Sequence, residues 1–168
     1  MHFRVTVRVT LLFLLLLGLG CSEGFRSSRA QAETVLVQRV IDGDTIELDR
    51  GERIRLIGVD TPEMNDRRPA VRALAQEAAA FVRRSVEGKP VGLEYDRVPR
   101  DRYGRTLAYV YLEDGTFLNA EIIRQGYGFA YTRFPFKYLE EFRRLQREAR
   151  DTHRGLWSNG PPAVSPRR

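Results

Sequence analysis

Three short segments carry most of the side chains that could do chemistry. They are Asp42-Gly43-Asp44-Thr45, Asp60-Thr61-Pro62-Glu63 and Asp101-Arg102-Tyr103-Gly104-Arg105. Each alone has an ordinary explanation: a turn, a strand end or helix cap, and a solvated loop. Together they offer acidic oxygens and guanidinium groups, and few other reactive groups are present. The chain has one cysteine, Cys21, and two histidines, His2 and His153, of which His2 lies in the segment read below as an export signal, leaving one for chemistry. A histidine pair, a zinc cluster and a Cys/His nucleophile are therefore excluded. Any catalysis must run on carboxylates and guanidinium groups, with a hard metal as the natural helper.

Charge narrows the reading further. The 168 residues carry a formal net charge of +6. Residues 1–32 hold four arginines and one acid, leaving 24 basic and 21 acidic residues in the body. A body this mildly basic must build any anion site by local arrangement rather than by bulk charge. The cations are nearly all arginine, since Lys89 and Lys137 are the only lysines. Arginine suits bidentate contact with phosphate.

The elements that must position these groups can be read from periodicity. Val35 to Ile41, Thr45 to Leu48 and Arg53 to Val59 read as three strands of a meander, with Asp42-Gly43 as the first hairpin signal. Val71, Leu74, Ala75, Ala78, Val82 and Val86 fall at helical spacing between Ala70 and Glu87, and Gly88-Lys89-Pro90 stops that helix. Val91 to Tyr95 and Leu107 to Leu112 are further strands. Thr116 to Gln125 reads as a short helix ended by Gly126. Tyr138, Phe142, Leu145 and Ala149 form one face of a last helix, with Trp157 as a lid on the core. Hydrophobic residues make up 42% of the chain, enough for one modest core. Five short strands with a helix after the third is the plan of an OB barrel, one option among small β-barrel and α+β folds.

Pairing across the 42–44 turn would bring Asp44, Asp60 and Glu63 together. Like charges raise each other's pKa, so three carboxylates converge only around a cation. A hard divalent ion answers this, and calcium suits a loose set of carboxylate and carbonyl oxygens.

At these segments the chain resembles the staphylococcal nuclease family. The resemblance rests on Val40-Ile41-Asp42-Gly43-Asp44-Thr45, Val59-Asp60-Thr61-Pro62-Glu63 and Asp101-Arg102-Tyr103-Gly104-Arg105. It continues in Leu107-Ala108-Tyr109-Val110-Tyr111 and Arg124-Gln125-Gly126, and covers about residues 34 to 159 in order. It implies an α+β fold, a five-stranded OB-fold barrel with three helices. It also implies a calcium-dependent nuclease cutting single-stranded DNA and RNA with little sequence specificity and leaving 3′-phosphate ends. On this resemblance Asp44, Asp60 and the Thr61 carbonyl hold Ca²⁺, and Asp42 supports them. Glu63 is the general base, and Arg55 and Arg105 grip the scissile phosphate. Tyr103 and Tyr131 line the nucleotide pocket. Arg133 departs from the pattern, standing where a second pocket tyrosine is usual. Arg67-Arg68 after Glu63 could meet substrate phosphates, but reads better as solvated surface.

The first 20 residues read as a signal peptide: Arg4 and Arg8 precede an apolar run from Val9 to Leu19 that is too short to span a bilayer. Leu17-Gly18-Leu19-Gly20-Cys21 resembles a bacterial lipobox, which would lipidate Cys21 and anchor the protein to a membrane. Ala30-Gln31-Ala32 offers a competing cleavage site for a secreted or periplasmic form. The lipoprotein reading is favoured, because the only cysteine stands at the edge of the apolar run. Residues 21–33 read as a flexible tether, 34–159 as the domain and 160–168 as a disordered tail. The expected protein is an exported monomer. The rival reading is a non-catalytic OB-fold module of the cell envelope that binds nucleic acid or protein, and the full carboxylate and arginine set argues against it.

Overall fold

Five short apolar strands between residues 33 and 111 close into a barrel. The computed structural model describes residues 33–162 and 164–167. The elements are β1 (Glu33–Asp42), β2 (Thr45–Leu48), β3 (Arg53–Leu56), β4 (Val59–Asp60), α1 (Pro69–Val86), β5 (Pro90–Glu94), β6 (Thr106–Tyr111), α2 (Leu118–Arg124), β7 (Phe129–Ala130), α3 (Leu139–Asp151) and a 3₁₀ turn (Gly155–Trp157). Five strands form a closed barrel in the order β1-β2-β3-β6-β5. All neighbours are antiparallel except β3 and β6, which run parallel and set Arg55 opposite Leu107. With three helices this is the expected α+β OB-fold barrel.

The core is built as the periodicity predicts. Val37, Ile46, Leu48, Ile54, Leu56, Val91, Leu93 and Val110 fill the barrel. Helix α1 buries Val71, Ala75, Ala78, Val82 and Val86, one helical face, and packs on β1. Phe142, Leu145 and Ala149 of α3 are buried, and Trp157 packs edge-on against Phe129 at 5.5 Å.

The third strand departs from expectation. Arg53 to Val59 is not continuous: β3 ends at Leu56, and Val59–Asp60 leaves the barrel to pair with β7. Gly58 turns the chain at φ 74°. A Cβ there would lie 2.7 Å from the Phe136 ring and 2.8 Å from the Phe142 ring, so only glycine fits. Asn119 on α2 secures the same corner. Fully buried, its amide donates to the carbonyls of Ile57 (3.0 Å) and Ala108 (3.3 Å) and accepts from the Val110 N–H (2.9 Å). This break takes Asp60 out of the barrel strand and leaves its carboxylate 3.9 Å from the Arg55 guanidinium.

Residues 1–32, where the signal segment and the lipidation site Cys21 are expected, lie outside the described residues. Among the described residues no helix is long and apolar enough to cross a membrane. The tail, expected to be disordered from Gly160, is described for residues 160–162 and 164–167, and Val164 packs on the Phe129–Trp157 cluster.

Candidate active site

The 42–44 turn is the base of the site. The Asp42 carboxylate accepts the Asp44 N–H at 3.0 Å, the self-bonded turn that Asp favours. A register shift between Val40 and Asp42 bends β1 there. Gly43 lets the turn lie against α1 and the next segment, since a Cβ would come within 2.8 Å of Ala78 and Thr61. Asp44 is thereby buried, 1% exposed, with its carboxylate accepting from the Thr45 hydroxyl (3.0 Å) and the Thr61 N–H (3.2 Å). Asp60 is 2% exposed on the neighbouring segment.

The barrel registers bring the arginines to these acids. Strand β3 places Arg55 opposite Thr45, beside Asp44. The buried Arg55 guanidinium pairs with Asp44 at 2.9 Å, lies 3.9 Å from Asp60, and donates to the carbonyls of Leu56 (3.1 Å) and Asp44 (3.3 Å). Arg105 enters from the start of β6. It pairs with Asp101 (2.7 Å) and reaches the Thr45 hydroxyl at 3.5 Å. Thr45 therefore bridges Asp44 and Arg105, a role the sequence reading missed, although it stands next to Asp44 in the turn.

Electrostatics follow from burial and these partners. Burial pushes the Asp44 carboxyl up, but Arg55 and Arg167 outweigh this and hold it below the usual carboxylate range. Burial and the charge of Asp44 push the half-buried Asp42 up to about 7. Burial lowers the Arg55 pKa, with Arg167 and Arg105 adding to the effect. A group with an ordinary value above 12 remains charged all the same.

A second guanidinium reaches the same acids. Arg167 gives its Nη2 to Asp44 (2.5 Å), its Nη1 to Glu63 (2.5 Å) and its Nε to Asp60, while its backbone N–H donates to Asp60 at 2.7 Å. Asp44, Asp60 and Glu63 thus share one positive group, the Arg167 guanidinium and not the divalent ion expected there, and Arg55 and Arg105 stand beside them. No signal in the sequence singled out Arg167.

Among the described residues no three acidic, histidine or cysteine side chains form a metal-holding group by themselves. The donor chemistry does fit a hard cation: two buried carboxylates, an adjacent third at Glu63, and a positive group already seated among them. Asp44, Asp60 and Thr61 are the residues that would hold it.

The aromatic groups lie at the rim. Tyr103 is 68% exposed, with Arg102 over its ring at 4.8 Å and Arg105 at 5.5 Å. Tyr131 is half-buried, tied by its N–H to the Gly58 carbonyl (2.8 Å), and tilts against the exposed Phe134. Arg133 stacks over Phe134 at 5.8 Å. Arg68 is committed locally, paired with Asp66 at 2.8 Å, which agrees with a solvated loop. An open cleft of about 800 Å³ runs from the site past Arg105 and Tyr103 to Arg100, Arg53 and Arg50.

A closed OB-type barrel gathers carboxylates and arginines beside an open basic cleft, an arrangement suited to an anionic phosphodiester. Residues 53–159 match the family described as staphylococcal nuclease homologue. The chain is 40% identical to a thermonuclease of Staphylococcus hyicus, over 79% of this chain and 80% of that protein. It is 42% identical to a thermonuclease of Staphylococcus intermedius over 78% and 80%, and 36% identical to an uncharacterized endonuclease of Escherichia coli over 75% and 78%. The chain belongs to the staphylococcal nuclease family, and it is a nuclease.

Proposed function

We propose that this nuclease is calcium-dependent, hydrolyses single-stranded DNA and RNA with little base preference, and leaves 3′-phosphate ends. The observation that carries the reading is the pair of buried carboxylates, Asp44 and Asp60, facing a cation with Arg55 alongside. Asp44, Asp60 and the Thr61 carbonyl would hold calcium, with Asp42 fixing the turn. Bound there, calcium supplies positive charge against a non-bridging phosphate oxygen.

The chain's own groups supply the rest. Glu63, 43% exposed, can reach the water that attacks phosphorus and take its proton. Arg55 is held rigid by Asp44, so its dipoles need no reorganisation as charge builds on the phosphate. Arg105 sits at the edge, held by Asp101, and can stabilise the leaving oxygen. Guanidinium hardly deprotonates, so charge stabilisation is its role rather than proton donation. Tyr103 and Tyr131 offer ring faces for bases, a contact worth roughly 1–3 kcal/mol each. Stacking tolerates any base and needs it unpaired, which favours single strands. Arg50, Arg53 and Arg100 give the cleft the charge to follow a backbone.

The N-terminal segment supports export, with lipidation at Cys21 or release after Ala32 as alternative ends. A Cys21→Ser variant with unchanged membrane partition removes the anchor. The test of the chemistry is digestion of labelled single-stranded and duplex DNA and of RNA, with calcium or with EGTA, followed by end analysis. Cleavage that persists in EGTA removes calcium from the reading, and 5′-phosphate ends remove the assigned leaving group.

A further inference from the structure

We propose that Arg167 is a built-in occupant of the cation site, closing it in the metal-free protein and leaving when metal binds. The proposal rests on the reading of Asp44 and Asp60 as cation ligands.

Three observations carry it. First, the local charge is unbalanced without Arg167. With Arg167 seated over them Asp44 and Asp60 are 1% and 2% exposed, and Arg55 makes a close pair only with Asp44 and stands 3.9 Å from Asp60. Buried carboxylates left with too little positive charge are strongly unfavourable. Second, the fit is complete: each guanidinium nitrogen of Arg167 donates to a different carboxylate, and the backbone N–H adds a further bond to Asp60. The Asp44 and Asp60 oxygens among them are ones a metal would need, so guanidinium and metal exclude each other. Third, the tail has a separate foothold three residues earlier, where Val164 packs on the Phe129–Trp157 cluster.

The same features make the contact reversible. The Arg167 side chain is 40% exposed, so solvent screens part of its attraction. Only nine residues separate it from Trp157, and Pro161, Pro162 and Pro166 stiffen that span. A short tether holds the arginine at an effective concentration of order millimolar, so a contact with a dissociation constant of about 0.1 mM is formed about nine-tenths of the time. A divalent ion brings twice the charge and displaces it. The tail then acts as a competitor in cis, and the apparent dissociation constant for metal rises by the inverse of the undocked fraction.

Isothermal titration of metal-stripped full-length protein with calcium chloride, without substrate, tests this. The comparison is the parent against the double variant Arg167→Ala, Arg168→Ala, which also removes the neighbouring arginine as a substitute. If the tail is docked about nine-tenths of the time, the variant binds calcium about tenfold more tightly. Equal or weaker binding by the variant, with calcium still bound by both proteins, overturns the role of the tail and leaves the cation site standing. No calcium binding by either protein overturns the cation reading itself, and this proposal with it.

Discussion

Arg55 on β3 and Asp44 in the turn between β1 and β2 form an ion pair of 2.9 Å whose side chains are 10% and 2% exposed. A pair so deeply placed is costly to break, because the surviving Asp44 carboxylate stays buried with only the partly exposed Arg167 as counter-charge. Arg55→Ala is expected to lower folding stability by roughly 3–5 kcal/mol as well as abolish cleavage. Urea unfolding followed by circular dichroism checks this. A variant as stable as the parent would mean that the pair is open to water.

Glu63 and Arg105 are placed differently, at 43% and 27% side-chain exposure, so their loss should touch rate and spare the fold. Glu63→Gln is expected to cut kcat by roughly 10²–10⁴. Arg105→Gln is expected to cut it by roughly 10²–10³. Both should keep stability within about 0.5 kcal/mol of the parent. Single-turnover cleavage of an oligonucleotide gives the rates, and parent-like cleavage by either variant removes its assigned role.

Gly58 is the corner on which Asp60 depends. The backbone there has φ 74°, and ring atoms of Phe136 and Phe142 lie within 2.8 Å of where an alanine methyl would sit. Gly58→Ala must therefore move packed aromatic side chains. The expected loss is roughly 1–3 kcal/mol from overpacking alone. Thermal unfolding measures it, and an unchanged midpoint would show that the corner relaxes freely.

Acid sensitivity should trace in part to Asp96. Burial raises its carboxyl, but the Tyr109 hydroxyl and the Lys137 N–H outweigh burial and hold it below the ordinary aspartate value. A depressed carboxyl contributes stability at pH above its unfolded value, about 4, and loses it as pH falls through the folded value. Tyr109→Phe removes the 2.6 Å hydroxyl bond with little change of shape. The variant should therefore show a shallower fall in melting temperature below about pH 4. Parallel curves for parent and variant would assign the acid limb to other groups.

Local chemistry is what the amino-acid order settled. Turn residues at Asp42-Gly43-Asp44, the helical spacing from Val71 to Val86 and the alternating strands are short-range features, and they carried the barrel, its helices and the meeting of Asp44, Asp60 and Glu63. Contacts between remote segments were decided only in three dimensions. Position 58 must be glycine because Phe136 and Phe142, remote in sequence, pack against it. The bridging hydroxyl of Thr45 matters only because parallel pairing of β3 with β6 brings Arg105 to it. Arg167 lies in a proline-rich tail with no periodicity to mark it, and it finds its acids because buried charge must be matched by whatever cation the fold can bring.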